Sequence, residues 1–119
     1  NKAFILYGPL IMVIIDLVID PIAVIGLEIW IWDEKGPYYG IPNHNFLGWF
    51  FLSIPIFILL SISKQNTSLY SRIISNLVIS FFSIIGLINE LYFPAILGIV
   101  LVIFNYLILI KQRKIKRSK

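Results

Sequence analysis

Apolar residues run almost unbroken through four stretches of this chain, Ala3 to Ile19, Phe46 to Ile62, Ile73 to Ile88 and Tyr92 to Ile110, and polar residues collect between them. Each stretch approaches the roughly 20 residues that cross about 30 Å of hydrocarbon as a helix. Inside a bilayer the backbone finds hydrogen-bond partners only within a helix or a closed barrel. The pattern therefore predicts an all-α, multi-pass transmembrane helical bundle of about four spans. Breaks are expected at Asp20-Pro21, from Gly36-Pro37 through Pro42-Asn43, in the polar linker Lys64 to Ser71, and near Pro94. The segment Pro21 to Trp32 fits no span: as a helix it covers only about 18 Å, too short to cross and too oily to float free. It is expected either as a kinked extension of the first span or as a short interfacial helix. Asp20 before Pro21 favours a break, with the carboxylate capping free amides and proline at the first helical position.

Composition agrees with the pattern. With 59% hydrophobic and 13% charged residues and a mean hydropathy of +0.91, the chain is too apolar for a water-soluble domain of its length. The first run does not read as a cleaved signal peptide, since three more runs follow and Asp16 sits in its core. Residues 1–110 are expected to form one transmembrane domain and 111–119 a basic tail. Because the chain opens on Asn1, it is expected to be the later part of a longer protein, with further N-terminal helices or other membrane subunits as partners. The absence of cysteine excludes disulfides, thiolate metal sites and cysteine nucleophiles.

The net charge of +4 raises the question of nucleic acid. However, Lys111, Arg113, Lys114, Lys116, Arg117 and Lys119 begin where the last apolar run ends, which is a membrane-flanking pattern rather than a nucleic-acid face. Placing that tail in the cytoplasm puts Lys2, Lys64 and Arg72 on the same side and leaves only Lys35 on the other. The expected location is thus the cell membrane, with a cytoplasmic C-terminus. All six acids, Asp16, Asp20, Glu28, Asp33, Glu34 and Glu90, then fall near the outer face.

Charged groups inside hydrocarbon mark functional sites by default. Asp16 and Asp20, four residues apart, share one face of a continuous helix about 6 Å apart. In a dry pocket two such acids do not both ionise comfortably, so one is expected to keep its proton and serve as a general acid. The plainer alternative is that Asp20 caps a helix and Asp16 hydrogen-bonds a neighbouring span. Glu28 either joins the cluster or faces headgroups; Glu90 either completes the site from across the bundle or ends a span at the interface. His44 stands alone, so a histidine-based metal centre is not expected. Carboxylate-bound Mg²⁺ is disfavoured because Lys35 alone would be available for a diphosphate. Ser53, Ser61, Ser75, Ser80 and Ser83 read as helix-packing residues.

Four elements in series carry a resemblance: Asp16-Leu-Val-Ile-Asp20-Pro21; Gly26 with Trp30-Ile-Trp32; Gly36-Pro-Tyr38-Tyr39-Gly40-Ile41-Pro42; and Asn45-Phe46-Leu47-Gly48-Trp49. Over about a third of the chain they resemble the carotenoid hydratases, the multi-pass group that includes bisanhydrobacterioruberin hydratase and carotenoid 1,2-hydratases. The resemblance implies addition of water across the terminal double bond of a carotenoid or long isoprenoid substrate. It calls for no cofactor and no metal. The residues' own chemistry, rather than the resemblance, makes Asp16 or Asp20 the candidate acid for protonating an alkene, and the other or Glu90 the group that steers water. Trp30, Trp32, Tyr38, Tyr39 and Trp49 are candidates for stabilising a cation or packing substrate. Asn45 either caps the second span or orients water. For the rings, an interfacial aromatic belt is an equal alternative. Two other classes stay open: a non-catalytic membrane subunit or lipid-binding module, and a Mg²⁺-dependent prenyl-transferring or cyclising enzyme.

Overall fold

The computed structural model describes residues 2–63 and 68–117, with side chains described for 3–63 and 68–111. Helix α1 (Lys2–Pro21) passes into one π-helical turn (Ile22–Gly26); an irregular segment then leads to α2 (Asn43–Ser63), α3 (Leu69–Ile88) and α4 (Tyr92–Arg117). Among the described residues four stretches are long and apolar enough to cross a membrane: Ala3–Gly26, Asn43–Ser63, Leu69–Ile88 and Tyr92–Lys111. The architecture is the all-α transmembrane bundle expected from the apolar pattern. Helix α4 continues through the first basic residues after the apolar run, as far as Arg117. Lys64 and Lys119, used above to orient the chain, lie outside the described residues, as do the side chains of Lys2, Arg113, Lys114, Lys116 and Arg117.

The helices alternate in direction. Phe4 meets Phe57 edge-on, ring centroids 5.0 Å apart, while Asn45 reaches Asp16 and Asp20 at the opposite end, so α1 and α2 are antiparallel. In the second hairpin Gly86 abuts Ala95 and Gly98 abuts Ser83. Toward its far end Asn105 Nδ2 donates to Asn76 Oδ1 at 2.7 Å, and Arg72 Nη1 donates to Asn105 Oδ1 at 3.5 Å. Between lipid-exposed helices, close backbone approach and hydrogen bonds across the interface replace the hydrophobic drive available in water. Gly98 permits that approach, because a Cβ there would overlap the Ser83 hydroxyl. The two hairpins meet around Val18, Ile22 and Leu91, which form a closed cluster flanked by Tyr39, Phe82, Ile85, Leu97 and Leu101. Large apolar side chains such as Phe51, Leu59, Ile74, Ile88 and Phe104 stay exposed, as hydrocarbon surroundings allow.

The break expected at Asp20-Pro21 is not where the helix restarts. Helix α1 runs through Asp20 to Pro21, and the carboxylate caps nothing. Pro21 has no N–H, so the carbonyl of Leu17, four residues back, loses its helical donor. Tyr38 replaces it: its hydroxyl donates to the Leu17 carbonyl at 2.6 Å. Burial pushes this phenol above its ordinary titration range, reinforced by neighbouring Tyr39 and Asp16, so it remains a donor. The backbone then widens, with Leu27 N–H donating to Ile22 O and Ile29 N–H to Ala23 O, both at 2.9 Å. Of the two expectations for this segment, the kinked extension describes residues 22–26; residues 27–32 form no helix at all.

A double-mutant cycle checks this account. Tyr38→Phe leaves a shielded carbonyl without a donor and is expected to cost about 1–3 kcal/mol of stability. Pro21→Ala restores the missing N–H, so the same Tyr38→Phe change should cost much less in that background. Equal costs in both backgrounds, measured by reversible unfolding in detergent micelles, would reject the pairing.

Candidate active site

Three segments converge at the end of the first hairpin. Helix α1 supplies Asp16 and Asp20, one turn apart on one face. Residues 27–42 bring Trp30 and Trp32 across them, and the first two turns of α2 bring Asn45 and Trp49. The loop is held by a tight turn in which Ile41 N–H donates to Tyr38 O at 2.9 Å. Its central residues, Tyr39 at φ 51° and Gly40 at φ 76°, both carry the positive φ that a type I′ turn demands. The arms cross in contact at Gly36, where a Cβ would overlap the Ile41 backbone. This fold-back places Tyr38 on Leu17 and buries Ile41 completely.

One amide joins the two acids. Asn45 Nδ2 donates to Asp16 Oδ2 and to Asp20 Oδ2, each at 2.8 Å, and Trp30 Nε1 donates to Asp20 Oδ1 at 3.1 Å. Asp20 is only 2% exposed and has both oxygens bonded. Asp16 is half-buried, and its Oδ1 meets no donor among the described residues. Asn45 does not cap α2: it is the third residue of the helix, inside the cap position, and its side chain reaches across the interhelical gap to the two acids. Beside the pair lies a cavity of about 480 Å³, with Met12, Ile15 and Ile19 as an apolar wall and Asp16, Asp20, Asn45, Trp30, Trp32 and Trp49 completing it. Trp30 and Trp49 stand at its rim, 41% and 39% exposed.

The remaining candidates lie elsewhere. Tyr38 and Tyr39, expected as substrate-binding rings, do not line this cavity. Tyr38 is held by Leu17 and packs edge-on against Tyr39, Phe46 and Phe93, and Tyr39 packs on the core cluster. Glu90 is not brought to the aspartates. It is exposed at φ 60°, in the left-handed position that ends α3, with Leu91 N–H donating to Gly86 O at 2.8 Å and Glu90 N–H to Leu87 O at 3.2 Å. That paired bonding is a Schellman termination. Glu28, also at positive φ, is exposed rather than clustered. His44 sits on the surface, its Nδ1 3.6 Å from Glu34 Oε2, and meets the Trp32 ring edge-on at 6.3 Å. Among the described residues no three His, Cys, Asp or Glu side chains converge; a cation at the pair would find two carboxylates.

The aliphatic wall was not singled out from the sequence. Its signal is present, since positions 12, 15, 16 and 19 fall on one helical face, but an apolar stripe inside an apolar run does not announce a cavity.

A sequence profile of the family described as "Carotenoid biosynthesis protein" matches residues 1–105. No curated protein and no solved structure matches the chain. The profile match takes in both carboxylates, the tryptophan loop, Asn45 and α4 as far as Asn105, and the chain belongs to the carotenoid biosynthesis protein family.

Proposed function

We propose that, within carotenoid biosynthesis, this chain is a hydratase that adds water across the terminal C=C of a carotenoid or long isoprenoid to give a tertiary alcohol. The observation that supports this most is the pair of aspartates bonded to one amide and set against an apolar cavity walled by indoles.

Asp16, with a free oxygen beside the cavity, is the proton donor in this reading. Its proton passes to the less substituted alkene carbon, and the π electrons form the new C–H bond, leaving a tertiary cation. The faces of Trp30 and Trp49 stabilise positive charge that water would otherwise solvate. A water molecule adds through an oxygen lone pair, and the proton it loses returns to the carboxylate pair, so acid and enzyme are regenerated. Asp20, fixed by Trp30 and Asn45, keeps the local charge negative as the cation forms. Balance requires only the alkene and one water.

Incubation of the membrane-embedded chain with an acyclic-ended carotenoid in H₂¹⁸O tests the proposal. The expected product is an alcohol whose oxygen is ¹⁸O, formed without reductant and unaffected by removal of O₂. An alcohol whose oxygen comes from O₂, or no alcohol from the full-length protein, would overturn it.

A further inference from the structure

Most polar hydrogens directed at the acid pair are already committed. Asn45 gives both amide hydrogens to the aspartates, and Trp30 gives its N–H to Asp20. Trp32 differs. Its Nε1 is shielded from solvent and meets no acceptor among the described residues, although the residue lines the same cavity, so that a small turn of the ring presents the N–H to a guest there. An indole N–H can only donate, and leaving one buried without an acceptor is costly. An oxygen-bearing guest in the cavity would relieve that cost.

We propose that the Trp32 N–H holds the oxygen of the attacking water, and afterwards that of the product alcohol. This rests on the hydratase reading and deepens it. Carboxylates offer a water molecule places to donate but nothing to accept from, and a confined water needs two or more partners to stay. Trp32 supplies the missing donor. It engages one lone pair and leaves the other to attack the cation, while the water's hydrogens point to Asp16 or Asp20. Trp32 is then the positioning residue that decides the fate of the cation. With water in place the C–O bond forms and a proton returns to the carboxylates; without it the cation loses a proton and reverts to alkene.

These two fates separate in D₂O. A cation that reverts leaves deuterium at the vinylic position of the recovered alkene, whereas one that is captured leaves alcohol. With the full chain in membranes and an acyclic-ended carotenoid, Trp32→Phe is expected to lower the ratio of alcohol to exchanged alkene about tenfold while exchange itself persists. Trp30→Phe, which disturbs the acid instead, should lower both together. If Trp32→Phe loses both signals, benzothienylalanine at position 32 provides the decisive variant, since it keeps the bicyclic shape and lacks only the N–H. A reduced ratio there supports the assignment, and a wild-type ratio in either variant overturns it. Failure of the hydratase reading looks different: wild-type protein would then give neither alcohol nor exchange.

Discussion

Asp16→Asn is expected to abolish alcohol formation, by at least about a hundredfold, while the protein still accumulates in the membrane. The amide is isosteric and can still turn an oxygen toward Asn45, so the 2.8 Å contact survives; what is lost is a transferable proton. General acid catalysis is worth about 10²–10⁴ in rate, and an unactivated alkene has no other route to the cation. Asp20→Asn should also be severe, since it removes the fixed negative charge opposite the forming cation while retaining an acceptor for Trp30. Pigment analysis in a carotenoid-producing host, normalised to membrane-inserted protein, measures both. Normal alcohol from the two variants would remove the acid pair from the mechanism. A variant that fails to accumulate would point instead to a purely structural pair.

Asn45→Leu should be nearly as damaging, with a different signature. Both aspartates lose their shared donor; the bond to ionised Asp20 contributes about 1.5–3 kcal/mol and the one to protonated Asp16 about 0.5–1.5 kcal/mol. Unlike the aspartate variants, this one should lose stability and activity together. Displacement of the acid by about 1 Å is enough to cost roughly a hundredfold in rate. Thermal unfolding in micelles and pigment yield should therefore fall in parallel. Full stability with full activity would show that the amide bridge has no consequence.

Much of this arrangement is legible from residue order alone. Hydropathy locates all four spans, because their composition admits few alternatives to a membrane helix. The placement of Asp16, Asp20, Trp30, Trp32, Asn45 and Trp49 around one cavity follows the motifs that suggested them. What escapes local reading depends on contacts distant in sequence. Asp20-Pro21 looks like a helix start only while the Leu17 carbonyl is assumed to go unpaired, and the donor that pairs it comes from Tyr38. Asn45 resembles a cap because no local rule reveals acids on another helix. Glu90 looks like a third acid by sequence, yet it stands exposed at the end of α3 and does not line the cavity. The chain Arg72–Asn105–Asn76 across α3 and α4 is illegible in the sequence for the same reason: each residue alone is an ordinary polar interruption.

The half-exposed indoles of Trp30 and Trp49 at the cavity mouth carry a practical corollary. A guest that arrives past them comes sideways out of the lipid in which it dissolves, so turnover should track the mole fraction of pigment in the vesicle rather than its molarity in the tube. Diluting vesicles with buffer would leave the rate per protein unchanged, and diluting them with pigment-free lipid would slow it.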